Sequence, residues 1–184
     1  MISDSTAAGP SDGAALAQAL LLDAFGRVHE EVPRLVHGLT VEQLLWRPDG
    51  DANSIAWLLW HLTRVQDDHV AGLSGREQVW TSGGWLERLR LPYPPRAIGY
   101  GQSSADVGAF VLKDPQLLTG YHGAVHAETV DVVESLAAED FARVVDHNWD
   151  PPVTLAVRLV SVINDVTAHV GQAAYVRGLV ERRS

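Results

Sequence analysis

The longest helical run in the chain is TLAVRLVSVINDVTAHVGQAAYVRGLV, residues 154–180. Asp150-Pro151-Pro152 breaks the chain just ahead of it, and Thr154 can cap the helix. A helix of this size is about 40 Å long. Three more helical runs stand upstream. Residues 14–39 place Leu20, Ala24, Val28, Val32 and Leu35 at spacings of three and four, with polar residues between. Ser11 or Asp12 can cap this run, and Pro33 predicts a kink in it. Residues 54–73 come after a cap at Asn53 and close on Gly72, Ser74 and Gly75. A third run begins at Asp114-Pro115, with proline at the first helical position, and reaches Leu136.

The connections are uneven. Thr40-Val41-Glu42-Gln43 opens a short helix ending near Trp46, and Pro48, Asp49 and Gly50 make a turn. Residues 74–104 hold Gly83-Gly84, Pro92, Pro94-Pro95, Gly99 and Gly101, which predicts a loop far longer than the usual connection of about 4–6 residues. Trp80, Trp85, Tyr93 and Tyr100 lie within it, so a lid or pocket wall is expected, with the two tryptophans either covering a site or packing the loop down. A short helix over 104–111 and a helical turn near 138–144 complete the chain, and no stretch alternates at period two. These features together predict an all-α four-helix bundle with a long loop between the second and third long helices. Residues 1–13 read as a flexible polar arm and 14–184 as a single domain.

Composition narrows the function. The 184 residues carry 14 Lys+Arg against 23 Asp+Glu, a net charge of −9. Such a chain repels phosphate backbones, so nucleic-acid binding is not expected. No signal peptide or bilayer-spanning segment is visible, and a cytoplasmic protein with no membrane partner is expected. There are no cysteines and eight histidines. Zinc–thiolate sites, disulfides and a cysteine nucleophile are thereby excluded.

Two helices carry the chemistry. Asp165 and His169 in Asn164-Asp165-Val166-Thr167-Ala168-His169-Val170-Gly171-Gln172 are four apart, on one helical face. They can be two metal ligands on one rigid element, or a hydrogen-bonded pair that steadies the helix. His61 in Trp57-Leu58-Leu59-Trp60-His61-Leu62 lies on a largely apolar helix, where a buried imidazole needs a partner. The Asp165/His169 pair can supply it, directly or through a metal. Arg64 and Asp68, three and seven residues after His61, can support such a site or touch substrate; an exposed ion pair is the plainer reading of Arg64. His122 and His126 have equally good ligand spacing, but read more simply as the polar face of an exposed helix.

The Trp-His-Leu element and the Asp165…His169-Val-Gly-Gln172-Ala-Ala-Tyr175-Val-Arg177-Gly178 element resemble the DinB/YfiT-like superfamily, more narrowly its DUF664 branch, which is related to mycothiol-dependent enzymes. The resemblance covers most of residues 14–182. It implies a four-helix bundle, often a homodimer, holding a divalent metal through one ligand on the second helix and two on the fourth. His61, Asp165 and His169 take those places, with Asp165 standing where many relatives have histidine. Two imidazoles and one carboxylate admit Zn, Ni, Fe or Mn. The implied function is a metal-dependent thiol S-transferase or isomerase, or a hydrolase, acting on a small-molecule substrate; a non-catalytic metal- or ligand-binding bundle is the alternative. Because the chain lacks cysteine, thiol chemistry needs a diffusible cosubstrate, for which mycothiol is the candidate.

Overall fold

The computed structural model describes residues 10–183, with side chains from residue 13 onward. Its frame is four long helices: α1 (Pro10–Val36), α3 (Ile55–Ser74), α7 (Gln116–Ser135) and α8 (Leu155–Glu181). Short helices fill the connections: α2 (Val41–Leu45), α4 (Val79–Ser82), α5 (Trp85–Leu89) and α6 (Ser104–Gly108). α1 already begins at Pro10, so Ser11 and Asp12 lie inside it, and Pro33 falls in its last turn. Residues 1–9 of the expected arm lie outside the described residues.

Local chemistry sets the helix ends. Thr40 closes a capping box with Gln43 ahead of α2. Ser54, one residue beyond the expected Asn53, accepts from the Trp57 amide, and Gly75 ends α3 in the left-handed conformation at φ 72°. Thr154 caps α8 as expected.

The long helices pack in the circular order α1–α7–α3–α8. Cross-helix contacts give their directions. Gln18, early in α1, donates to the carbonyls of Glu134 and Leu136 at the end of α7, so these two are antiparallel. Arg177, late in α8, donates to the carbonyls of Arg34, Leu35 and His37, so α8 runs parallel to α1. Arg64 meets Tyr121 and Gln66 meets Thr129, so α3 and α7 are parallel. Parallel neighbours cannot be joined by a tight turn. The chain between them must travel back along the bundle, which explains the length of the 75–115 connection. This segment is thus a crossover, with α4 and α5 where the sequence predicted open loop and α6 at the short helix expected over 104–111. A second departure from expectation is a small antiparallel pairing of β1 (Val144–Asp146) with β2 (Val153–Thr154) ahead of α8. A 3-10 turn (Asp140–Ala142) occupies the helical turn expected near 138–144.

α3 is the central element. α7, α8 and the crossover cover it, and every residue from Ile55 to Asp67 is buried. Apolar side chains supply most of that core. The polar exceptions, His61, Thr63, Arg64, Gln66 and Asp67, therefore need partners in the interior.

Candidate metal centre

α3 and α8 bring the three predicted ligands together. Ligand atoms of His61, Asp165 and His169 lie within 4.8 Å of one another. His61 comes from the buried middle of α3, and the pair on α8 is half-buried. The two imidazoles meet edge to face, with centroids 4.7 Å apart, and the other face of His61 stacks on Trp57 at 4.7 Å. The Trp57 indole in turn donates to Gln102 of the crossover at 2.8 Å.

Hydrogen bonds orient both rings. His61 Nδ1 is 2.5 Å from the Ile98 carbonyl, which can only accept, so Nδ1 carries the proton and Nε2 keeps its lone pair. His169 Nδ1 donates to Gln172 Oε1 at 3.1 Å, leaving its Nε2 3.6 Å from Asp165 Oδ1. Gln172, prominent in the fourth-helix motif, is thus the partner that aims His169. Such donation from the far nitrogen is what orients metal-bound histidines.

The electrostatics agree with a cation site. Burial pushes His61 below the usual histidine value, so it is neutral at pH 7. The Asp165 carboxylate beside His169 raises the imidazole, and the imidazole in turn lowers the carboxyl. Asp165 Oδ2 is buried and has no hydrogen-bond donor among the described residues. Two imidazole lone pairs and a carboxylate gathered within 4.8 Å repel each other unless a proton or cation sits among them. The donor set fits a divalent metal with three protein ligands.

The crossover supports this centre. Gly99 adopts φ +95°, and a Cβ there would lie 2.5 Å from His61 Nδ1. No other residue type allows the backbone so near the ring. Gly99→Ala should therefore push His61 off its position and weaken metal binding at least tenfold, within the range seen when an outer partner of a ligand is lost. Zinc titration beside a melting curve checks this, with a fall in affinity larger than the change in Tm implies.

Arg64 holds the same loop. The sequence favoured an exposed ion pair here, but the side chain is fully buried. It donates to the Ala97 carbonyl at 3.1 Å, next to the Ile98 carbonyl that orients His61. Its remaining N–H groups reach Gln78 at 2.9 Å, Tyr121 at 3.1 Å and Asp67 at 3.3 Å. Asp67 also accepts the amides of Val79 and Trp80 and the Tyr121 hydroxyl. Burial raises the Asp67 carboxyl above its ordinary value, and these donors act against that. Sequence reasoning passed over Asp67; its one signal was a carboxylate on the apolar helix three residues after an arginine. Asp68 accepts from the Gln78 side chain at 2.7 Å and faces a separate cleft.

The sequence profile of the DinB superfamily matches residues 24–173. The chain belongs to the DinB superfamily. That match does not single out the DUF664 branch. A crystal structure of a conserved protein from Enterococcus faecalis is 33% identical, with a TM-score of 0.83, and the match covers 88% of this chain and 95% of that one. Among curated proteins none matches. The observed bundle is thus the DinB architecture, and no described helix is long and apolar enough to cross a membrane.

Two other sets of predicted residues lie elsewhere in the DinB bundle. Trp80 and Trp85 are buried against Tyr121, and Arg64 stacks on Trp80, so both tryptophans fasten the crossover to α7. His122 and His126 do not form an exposed face. His122 is 1% exposed and shares a hydrogen bond with Thr63, while His126 stacks on His29 at 4.1 Å. The parallel stacking, with an interplanar angle of 5°, does not aim these two lone pairs at one point. Burial pushes His122 down to about 3, helped by the neighbouring imidazoles. Because the unfolded chain takes up this proton near pH 6.5, the folded state loses ground as pH falls from there towards 3. The folded-to-unfolded ratio should drop up to tenfold per pH unit from this residue. Denaturant titrations at pH 7 and 5 measure the slope, and His122→Leu should flatten it.

Proposed function

We propose that this DinB-superfamily chain is a divalent-metal-dependent enzyme acting on a small molecule, either transferring or isomerising with an external thiol of the mycothiol type or hydrolysing its substrate. One observation carries the reading: three donors from two helices converge, and both imidazoles are turned by their Nδ1 partners. Three protein ligands leave coordination positions for substrate. A divalent ion held here would act as a Lewis acid toward a bound water, carbonyl or thiol. His61, Asp165 and His169 hold it. Ile98 and Gln172 fix the imidazole orientations, and Trp57 covers one face of His61. The chain supplies no sulfur of its own, so a thiol reaction draws it from a cosubstrate.

The test is turnover by metal-loaded protein, with and without small thiols, against electrophilic and hydrolysable substrates. Turnover that disappears on chelation and returns with zinc, nickel, iron or manganese supports the enzyme. Tight metal binding with no turnover in any arm leaves the non-catalytic metal-binding bundle as the reading.

A further inference from the structure

We propose that the cleft next to the candidate metal centre is a subsite for the cationic end of the substrate, an ammonium or guanidinium group recognised by Asp68. This rests on the reading of His61, Asp165 and His169 as a metal centre.

Helix register places the two sites on one seam. α3 and α8 are antiparallel, since His61 meets His169 while Asp68 and His69 share a cleft with Arg158. Asp68 lies seven residues after His61, and Arg158 seven before Asp165. Each interval is two helical turns, or roughly 10 Å. The cleft therefore lies about 10 Å along the seam from the metal ligands. It is a cavity of about 330 Å³ between α3, α8 and the β1–β2 pair. His69 lines the cleft beside Asp68. Burial lowers His69, so it enters as a neutral imidazole.

The charge balance of the cleft selects the ligand. Arg158 is committed to Asp146 at 2.7 Å, and the other Asp146 oxygen accepts from the Asn148 amide and side chain at 2.9 Å. That pair neutralises itself. Asp68 has only the uncharged Gln78 amide as a partner among the described residues, so one carboxylate in a half-buried cleft lacks a cation. Partial burial makes such a charge more effective than one in open water. Leu73 and Val145 give the cleft an apolar wall for a short carbon chain. The substrate class is thus a small molecule with its reacting group at one end and a positive charge about 10 Å away.

The test uses the full chain loaded with zinc and two chelating probes, 6-aminohexanohydroxamate and hexanohydroxamate, at low ionic strength. The hydroxamate of each binds the metal, and only the first carries an ammonium. The amino compound should bind wild type about tenfold more tightly, the worth of one charge-assisted hydrogen bond. In Asp68→Asn, where the amide oxygen can still accept from Gln78, the ratio should fall to about one while zinc content holds. Equal affinities in wild type overturn the proposal, as does a preference that survives in Asp68→Asn. If the chain takes up no zinc and binds neither probe, the metal-centre reading has failed and this subsite falls with it.

Discussion

Asp67→Ala is expected to lower the unfolding free energy of the metal-free protein by about 3–5 kcal/mol, the usual cost of stripping the partner from a buried charge. Four donors converge on this carboxylate: the Val79 amide at 2.8 Å, the Trp80 amide at 2.7 Å, the Tyr121 hydroxyl at 2.7 Å and the Arg64 guanidinium at 3.3 Å. Removing it leaves Arg64 charged, fully buried and supported only by neutral acceptors. The two amides at the start of α4 lose their anchor as well, so the crossover should detach from α3. Asp67→Asn, with its amide oxygen in the Oδ2 place, keeps the shape and the acceptor for Trp80, Tyr121 and Arg64 but loses the charge and the Val79 contact, and should cost less. Denaturant unfolding measures both. A loss under about 1 kcal/mol in Asp67→Ala would mean that the buried pair adds nothing beyond a surface ion pair. Metal affinity should fall in parallel, because Arg64 fastens the loop whose Ile98 carbonyl orients His61.

The long helices were readable from apolar spacing and end signals, because a bundle helix needs one continuous face and little else. The convergence of the three candidate ligands was readable for a related reason. Asp165 and His169 share a face through local geometry, and His61 is a polar residue on an otherwise apolar helix. What periodicity does not carry is direction. Whether α3 and α7 run parallel depends on how the connection returns, so residues 74–104 read as a lid or pocket wall, and the structure shows a crossover strapped to the core that walls His61 with Ile98 and Gly99. Arg64 and Asp67 reflect the same gap: Arg64 looks like half of a solvated ion pair, and Asp67 carries no signal beyond its spacing from Arg64, until the crossover is laid over them. His122 misled differently. Its spacing suits a metal pair but reads more simply as an exposed face, and only the arrangement of α1, α3 and α7 puts it beside Thr63 and His29.

The second large effect concerns the metal itself. His61→Ala or His169→Ala removes one of the three proposed ligands. Loss of an outer partner alone costs about 10–100-fold in affinity, so losing a ligand should exceed 100-fold. Each substitution also unmatches its neighbours. Without His169, Asp165 loses the imidazole that lowers its carboxyl, and without His61 the Ile98 carbonyl loses its donor. Stability of metal-free His169→Ala should change much less than in Asp67→Ala, since α8 contributes His169 from its half-exposed side.

Metal content per chain is the decisive quantity. Untagged wild type, His61→Ala and His169→Ala are each equilibrated with excess zinc, nickel, iron(II) or manganese, freed of unbound ion and analysed for elements. The wild type should retain one divalent ion per chain, and both variants close to none. A wild type that retains no ion with any of the four metals, or variants that hold it as well as wild type does, would contradict a metal centre at His61, Asp165 and His169.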